Sequence, residues 1–221
     1  MNKNLLEKKS NKFKFYFFTL LKYKKKIIQV LLFEIFYTFI FKSGFYKIQN
    51  DSIKTDSLPC PYYFLNKISK FVKKYPIYKI VDLGSGTGRV VNFLAKTNNA
   101  KVFGYEIDEE VLRYAIMNKS KNAYFYKKDI TLLNFKKLRA DCYILNAPFH
   151  KEKDFKNLIK KIEIGNKKIK KKYFLVVINI DSHFKKIKLE NIFKNFMQVQ
   201  HIQAGKIKSL RIFQSKIKKK A

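Results

Sequence analysis

Three glycines at alternate positions constrain this chain more than any other feature. Gly84, Gly86 and Gly88 sit in the run Ile80-Val-Asp-Leu-Gly-Ser-Gly-Thr-Gly-Arg-Val-Val91. The stretch from Tyr78 to Leu83 is β-branched and apolar, as an interior parallel strand is. The glycines let the backbone turn tightly and approach a ligand where a Cβ would clash. The helix that follows then turns its N-terminal N–H groups toward that ligand.

Two further strand ends say what kind of ligand it is. Lys101 to Tyr105 reads as a second strand and runs into Glu106, eighteen residues past Gly88. A glycine turn after one strand and an acid after the next is a layout that grips a ribose diol. Ala123 to Lys128 reads as a third strand leading to Asp129, well placed to hydrogen-bond an adenine amino group. Asp82 ends the first strand, and Asp108 and Glu109 follow the second. The whole chain has 16 acidic residues, so three successive strand ends with one acid each point to a cationic, ribose-bearing ligand. Arg89 fills the last position of the dinucleotide fingerprint. An NAD-binding or inactive Rossmann-like domain is the alternative.

The run Val-Asp-Leu-Gly-Ser-Gly-Thr-Gly-Arg, then Gly-Tyr-Glu-Ile-Asp at 104–108, then Lys-Asp-Ile at 128–130 resembles the class I S-adenosylmethionine-dependent methyltransferases. The resemblance extends over residues 59 to 215. It implies S-adenosyl-L-methionine as cofactor, held by Asp82, Gly84, Ser85, Gly86, Gly88, Glu106, Ile107, Asp129 and Ile130.

The alternation of elements agrees. Helices are expected at 61–74, 88–96, 109–119, 152–163 and 187–195, and strands at 78–83, 101–105, 123–128, 141–145 and 173–180. Tyr173 to Ile180 is the most apolar strand and should lie inside the sheet. Met197–Ala204 and Ser209–Ser215 alternate around Gly205 and read as a hairpin. The fold class is α/β: a Rossmann-like, doubly wound, mostly parallel sheet with an antiparallel C-terminal edge strand. A hydrophobic helical segment precedes it. The domain plan is a basic and hydrophobic segment at 1–46, a linker at 47–60, the methyltransferase domain at 61–216 and a basic tail at 217–221.

In open α/β sheets the ligand lies beyond the carboxyl ends of the strands. The fourth strand leads there into Asn146-Ala147-Pro148-Phe149. This is similar to the Asn/Asp-Pro-Pro-Tyr/Phe turn of amino-group methyltransferases. The likeness implies that Asn146, Pro148 and Phe149 carry the transfer, with polar acceptors orienting the target nitrogen and the ring lying against substrate or sulfonium. Ala147 replaces the first proline of that turn.

Residues 59–71, the glycine turn, Gly-Tyr-Glu and Phe125-Tyr-Lys-Lys-Asp129 together resemble the small membrane-anchored protein-lysine methyltransferases of the ATP synthase c-subunit type and their bacterial relatives. That likeness implies a lysine in a membrane protein as acceptor, and it departs at 146–149. An RNA or DNA amino-methyltransferase is the alternative, and a non-catalytic S-adenosylmethionine-binding module the third.

The net charge of +33 has the sign of a nucleic-acid binder. Only Arg89, Arg113, Arg139 and Arg211 among the 49 basic residues are arginine, however, and tryptophan is absent. A lysine-heavy codon bias explains this better than selection for bidentate phosphate or base contacts. Cys60 and Cys142 match neither a disulfide framework nor a metal spacing, and His150, His183 and His201 are scattered, so no metal is expected.

Ile27 to Phe41 is apolar except for Gln29, Glu34 and Thr38. A helix of that length is ~22 Å long, short of the ~30 Å hydrocarbon core. Three readings stand: an interfacial or embedded anchor, a helix packed on the catalytic domain, and a signal segment. The lysines on its N-terminal side would send a simple span's catalytic domain out of the cytosol. The expected location is therefore cytoplasmic, at the inner face of a membrane.

Overall fold

A computed structural model describes residues 28–38, 40, 59–149, 151–167, 172–180, 189–204 and 208–216. Residues 1–27 of the basic and hydrophobic segment, the linker up to residue 58, His150, the turn at Gly205 and the basic tail lie outside them.

The first described element is helix α1, over residues 28–38. Then come α2 (Tyr62–Val72), β1 (Lys79–Leu83), α3 (Arg89–Thr97), β2 (Lys101–Glu106), α4 (Glu109–Met117) and β3 (Ala123–Lys127). A 3-10 turn (Ile130–Leu132) and the short α5 (Phe135–Leu138), neither of them expected from the sequence, lead to β4 (Cys142–Asn146). The chain continues through α6 (Glu152–Asn166), β5 (Phe174–Ile178), α7 (Leu189–Ile192), β6 (Phe196–Ala204) and β7 (Lys208–Ser215).

The strands form one sheet in the order β3-β2-β1-β4-β5-β7-β6. β1 to β5 are parallel, and β7 runs antiparallel against both β5 and β6. The expected hairpin forms, with β7 inserted beside β5 and β6 outermost. β5 is buried at every position, as an interior strand should be.

Side chains alternate across the sheet with the period of two that a strand imposes. Ile80, Val102, Ile144, Val176 and Ile178 face one core, with α2 and α3. Val81, Leu83, Tyr143, Leu145 and Val177 face the other, with α6. This alternation puts Asp82 and Asn146 on the α2–α3 side. β1 and β4 are neighbours although β2 and β3 intervene in sequence, so the winding reverses between them and leaves a crevice at their carboxyl ends.

Helix α1 packs on the α2–α3 side. Tyr37 stacks on Tyr62 at 5.5 Å and meets Phe93 edge-on at 5.2 Å. Phe33 meets Tyr63 at 5.9 Å. The helix-on-domain reading therefore describes the inner face of α1. Ile28, Leu31, Leu32, Ile35, Phe36 and Ile40 form its opposite, exposed face, with Ile35 71% accessible. No helix among the described residues is long and apolar enough to cross a membrane.

Candidate active site

The glycine turn has the expected tight geometry. Gly84, Gly86 and Gly88 have φ of 83°, 51° and 76°, a region that residues with a Cβ seldom enter. Gly88 is also sterically required, because a Cβ there would lie 2.7 Å from the Phe125 ring and 2.8 Å from the Ala115 Cβ. The Gly84 and Ser85 N–H groups both donate to the Tyr105 carbonyl at 3.0 Å, tying the turn to the end of β2. Gly88 starts α3 with no side-chain cap, so the first N–H groups of that helix face the crevice with their partial positive charge.

Glu106 holds the turn from the other side. Its Oε2 accepts from the Gly86 N–H at 2.8 Å, and its Oε1 accepts from the Ile107 and Asp108 N–H groups at 2.8 and 3.0 Å. A carboxylate has about four acceptor positions, so these three bonds leave one for a ribose hydroxyl. Ile107 beside it is half exposed, an apolar wall next to a polar anchor. Asp129 accepts from the Thr131 N–H and hydroxyl through Oδ1, both at 2.7 Å. Ile130, next to it, is buried in the α6-side core.

Asp82 is the most telling group. It is fully buried, and neither carboxylate oxygen has a hydrogen-bond partner. Burial, and then the charge of Glu106, push its pKa well above the ordinary carboxylate range. A buried carboxylate without a partner is costly. A cationic ligand removes that cost, and the α-ammonium of S-adenosylmethionine is such a cation. The residues present fit the expected cofactor: Asp82 would face its ammonium, Glu106 its ribose and Asp129 its adenine amino group, with the turn as the cradle. Ser85 departs from the expectation in detail. Its side chain lies over Gly104, where a Cβ would meet it at 2.8 Å, so it faces β2 rather than the crevice.

The turn after β4 joins this site. A Cβ on Gly84 would lie 3.3 Å from the Pro148 Cβ, which sets residues 146–149 against the glycine turn. Asn146 is the last residue of β4 and is half-buried. Ala147 follows with φ 45°, and Phe149 packs partly against the α6-side core.

Sequence reasoning missed two groups. Asn179, one residue past β5, donates from Nδ2 to the Asn146 Oδ1 at 3.1 Å. Glu34 of α1 accepts from Arg89 Nη1 at 2.8 Å and from the Tyr62 N–H at 2.6 Å. Pro61 precedes α2 but carries no side-chain acceptor, so Glu34 caps that helix from outside. The Arg89 guanidinium also stacks on the Tyr62 ring at 4.6 Å. Burial pushes the Cys60 thiol pKa well up, with Asp82 adding to the rise and Arg89 opposing it. The lead-in at 60–62 is thus tied to α1 through Glu34 and to α3 through Arg89, which donates to the Cys60 carbonyl at 3.4 Å. A lone acid in an apolar run was the available signal for Glu34; nothing in the sequence marked Asn179.

Among the described residues no group of His, Cys, Asp and Glu can hold a metal ion.

Comparison with known proteins agrees with this fold. The profile of a methyltransferase domain family matches residues 76–218. No curated protein sequence matches the chain. TehB from Haemophilus influenzae is similar in structure, with a TM-score of 0.52 at 14% identity over 68% of this chain. The match spans 62% of that protein, less than two thirds of its length. An RNA methyltransferase from Salinibacter ruber, solved with S-adenosyl-L-homocysteine, gives 0.52 at 15% identity, covering 72% of this chain and 94% of the other. Magnesium protoporphyrin IX methyltransferase from Synechocystis PCC 6803, solved with S-adenosylmethionine, gives 0.52 at 14% identity, covering 69% and 77%. At these identities the likeness shows a shared fold.

Proposed function

We propose that this chain, which belongs to the methyltransferase domain family and uses S-adenosylmethionine, methylates an amine, a protein lysine in the first place. The observation that carries the reading is the position of Asn146. It is a half-buried amide at the carboxyl end of β4, in a turn that abuts the glycine cradle. An amide oxygen there accepts a hydrogen from a target N–H and leaves the nitrogen lone pair free to point at the donor methyl.

Bound S-adenosylmethionine supplies a sulfonium methyl already activated for in-line displacement. The chain's own task is then positioning. Asp82, Glu106 and Asp129 fix the donor end, Asn146 fixes the acceptor, and Pro148 and Phe149 shape the space between. Holding the reacting atoms ~3–3.5 Å apart and in line is a large share of catalysis in such reactions. A lysine acceptor must also lose a proton, and a crevice that excludes water lowers its pKa by desolvation.

Lysine is favoured over a nucleobase by the likeness of the whole core and by the exposed apolar face of α1. That face suits a membrane surface, so the proposed location is the cytoplasmic side of a membrane. The Asn-x-Pro-Phe turn and the basic charge favour the second reading, an RNA or DNA amine.

The test is tritiated-methyl transfer from S-adenosylmethionine into a lysate separated into membrane protein, soluble protein, RNA, DNA and small molecules. Label in membrane protein, lost with Asn146→Ala while cofactor affinity holds, is the expected result. Label in RNA or DNA but not in protein overturns the lysine reading.

A further inference from the structure

We propose that Asn179 is a positioning residue for methyl transfer, setting the orientation of the Asn146 amide. The proposal rests on the amine-acceptor reading of Asn146 given above.

The backbone shows how Asn179 comes to be there. Ile178 pairs in register with Asn146, so Asn179 lies one residue beyond the carboxyl end of β5. Side chains alternate along β5, with Ile178 on the α2–α3 side and Val177 on the other. An extended residue 179 would face away from Asn146. Its φ of 60° breaks the alternation, and the amide reaches across to the Asn146 Oδ1 at 3.1 Å. The Asn179 N–H donates to the Ser209 carbonyl at 2.8 Å, which anchors the turn to β7. Among the described residues only Arg139, Ala147 and Asn179 are non-glycine residues with positive φ. Two of these three belong to one hydrogen-bonded amide pair at adjoining strand ends: Asn179 is a member of it, and Ala147 follows its other member, Asn146. Clustered left-handed residues of this kind mark functional sites.

The chemistry says what the contact does. A side-chain amide can present its oxygen or its NH2 group by a half-turn about one bond. Only the oxygen accepts a hydrogen from a target amine. The Asn179 donor draws the Asn146 oxygen toward the end of β5, and because a carbonyl oxygen carries two lone pairs, this bond by itself does not exclude one from a substrate N–H.

Two variants separate this role from folding. Asn179→Gly tolerates positive φ and removes the donor. Asn179→Asp keeps the shape and also tolerates positive φ, but it replaces the donor with an acceptor. The carboxylate draws the Asn146 NH2 toward it and turns the oxygen away. The initial rate of tritiated-methyl transfer, measured with the full chain and the lysate fraction that takes label, should fall about tenfold for Asn179→Gly. It should fall further for Asn179→Asp, with S-adenosylmethionine affinity unchanged in both. Asn146→Ala combined with Asn179→Asp should be no slower than Asn146→Ala alone. A side-chain amide NMR spectrum needs no acceptor: the Asn179 NH2 signals should shift in Asn146→Ala. If Asn146→Ala abolishes transfer but both Asn179 variants keep the wild-type rate, or the two losses multiply, or the Asn179 NH2 signals do not move, the inference is wrong. If Asn146→Ala itself transfers normally, the acceptor reading fails instead.

Discussion

At the scale of the residue, Asp82 is the group whose behaviour departs furthest from an ordinary side chain. Its folded pKa lies above its unfolded one. From the ordinary carboxylate range up to the raised value, the folded chain therefore holds a proton that the unfolded chain has released. Its contribution to stability is full below that window and is lost as pH rises through the folded pKa. A bound ammonium favours the ionised form and reverses the preference, so cofactor binding should release a proton and tighten as pH rises through the same window. Asp82→Asn should flatten both slopes. It should also weaken S-adenosylmethionine by about ten- to a hundredfold above the window, the loss expected for one charge-assisted hydrogen bond. Calorimetry in buffers of different ionisation enthalpy measures both effects; unchanged affinity and an unchanged slope would remove Asp82 from the site. Asp82, Glu106 and Asp129 were legible as candidates because each lies within two residues of a strand's carboxyl end: inside β1 before Leu83, at the last position of β2, and two residues beyond β3. Asn179 was not. Its role depends on the β4–β5 register and on a left-handed turn, and neither leaves a pattern in composition or periodicity.

At the scale of the element, α1 has two faces with different work. Val30, Phe33, Glu34 and Tyr37 turn inward, and Ile28, Leu31, Leu32, Ile35 and Phe36 turn outward. Removing Glu34 takes this acceptor from the buried Arg89 guanidinium and from the first N–H of α2. Breaking such a pair costs about 3 kcal/mol, the low end for buried pairs because the Glu34 side chain is 20% exposed. Denaturant unfolding of Glu34→Ala should show that loss. Ile35→Asp, on the outer face, should change stability by less than about 0.5 kcal/mol. It should abolish flotation of the full chain with phosphatidylcholine–phosphatidylglycerol vesicles. A full chain that does not float, or an Ile35→Asp variant that floats equally well, contradicts the membrane reading. The sequence showed a lone acid, Glu34, within an apolar run. It could not show the partner, because Arg89 lies 55 positions away and reads locally as the residue after a glycine.

At the scale of the whole molecule, the main strands and helices among the described residues were readable, since each period is local; the 3-10 turn and the four-residue α5 were too short to show one. The order of the last two strands was not, because pairing β7 with β5 ahead of β6 is decided by long-range packing. That packing brings the ends of β1, β2, β3 and β4 to one edge, where residues far apart in sequence form a single site. The central claim is that this edge binds the cofactor as a unit. Hydrogen exchange of the full chain with and without S-adenosylmethionine tests it directly. The account predicts added protection at 84–89, 106–108, 129–131 and 146–149 together, and none along β6. Protection confined to one of these stretches, or appearing on β6 instead, would contradict it.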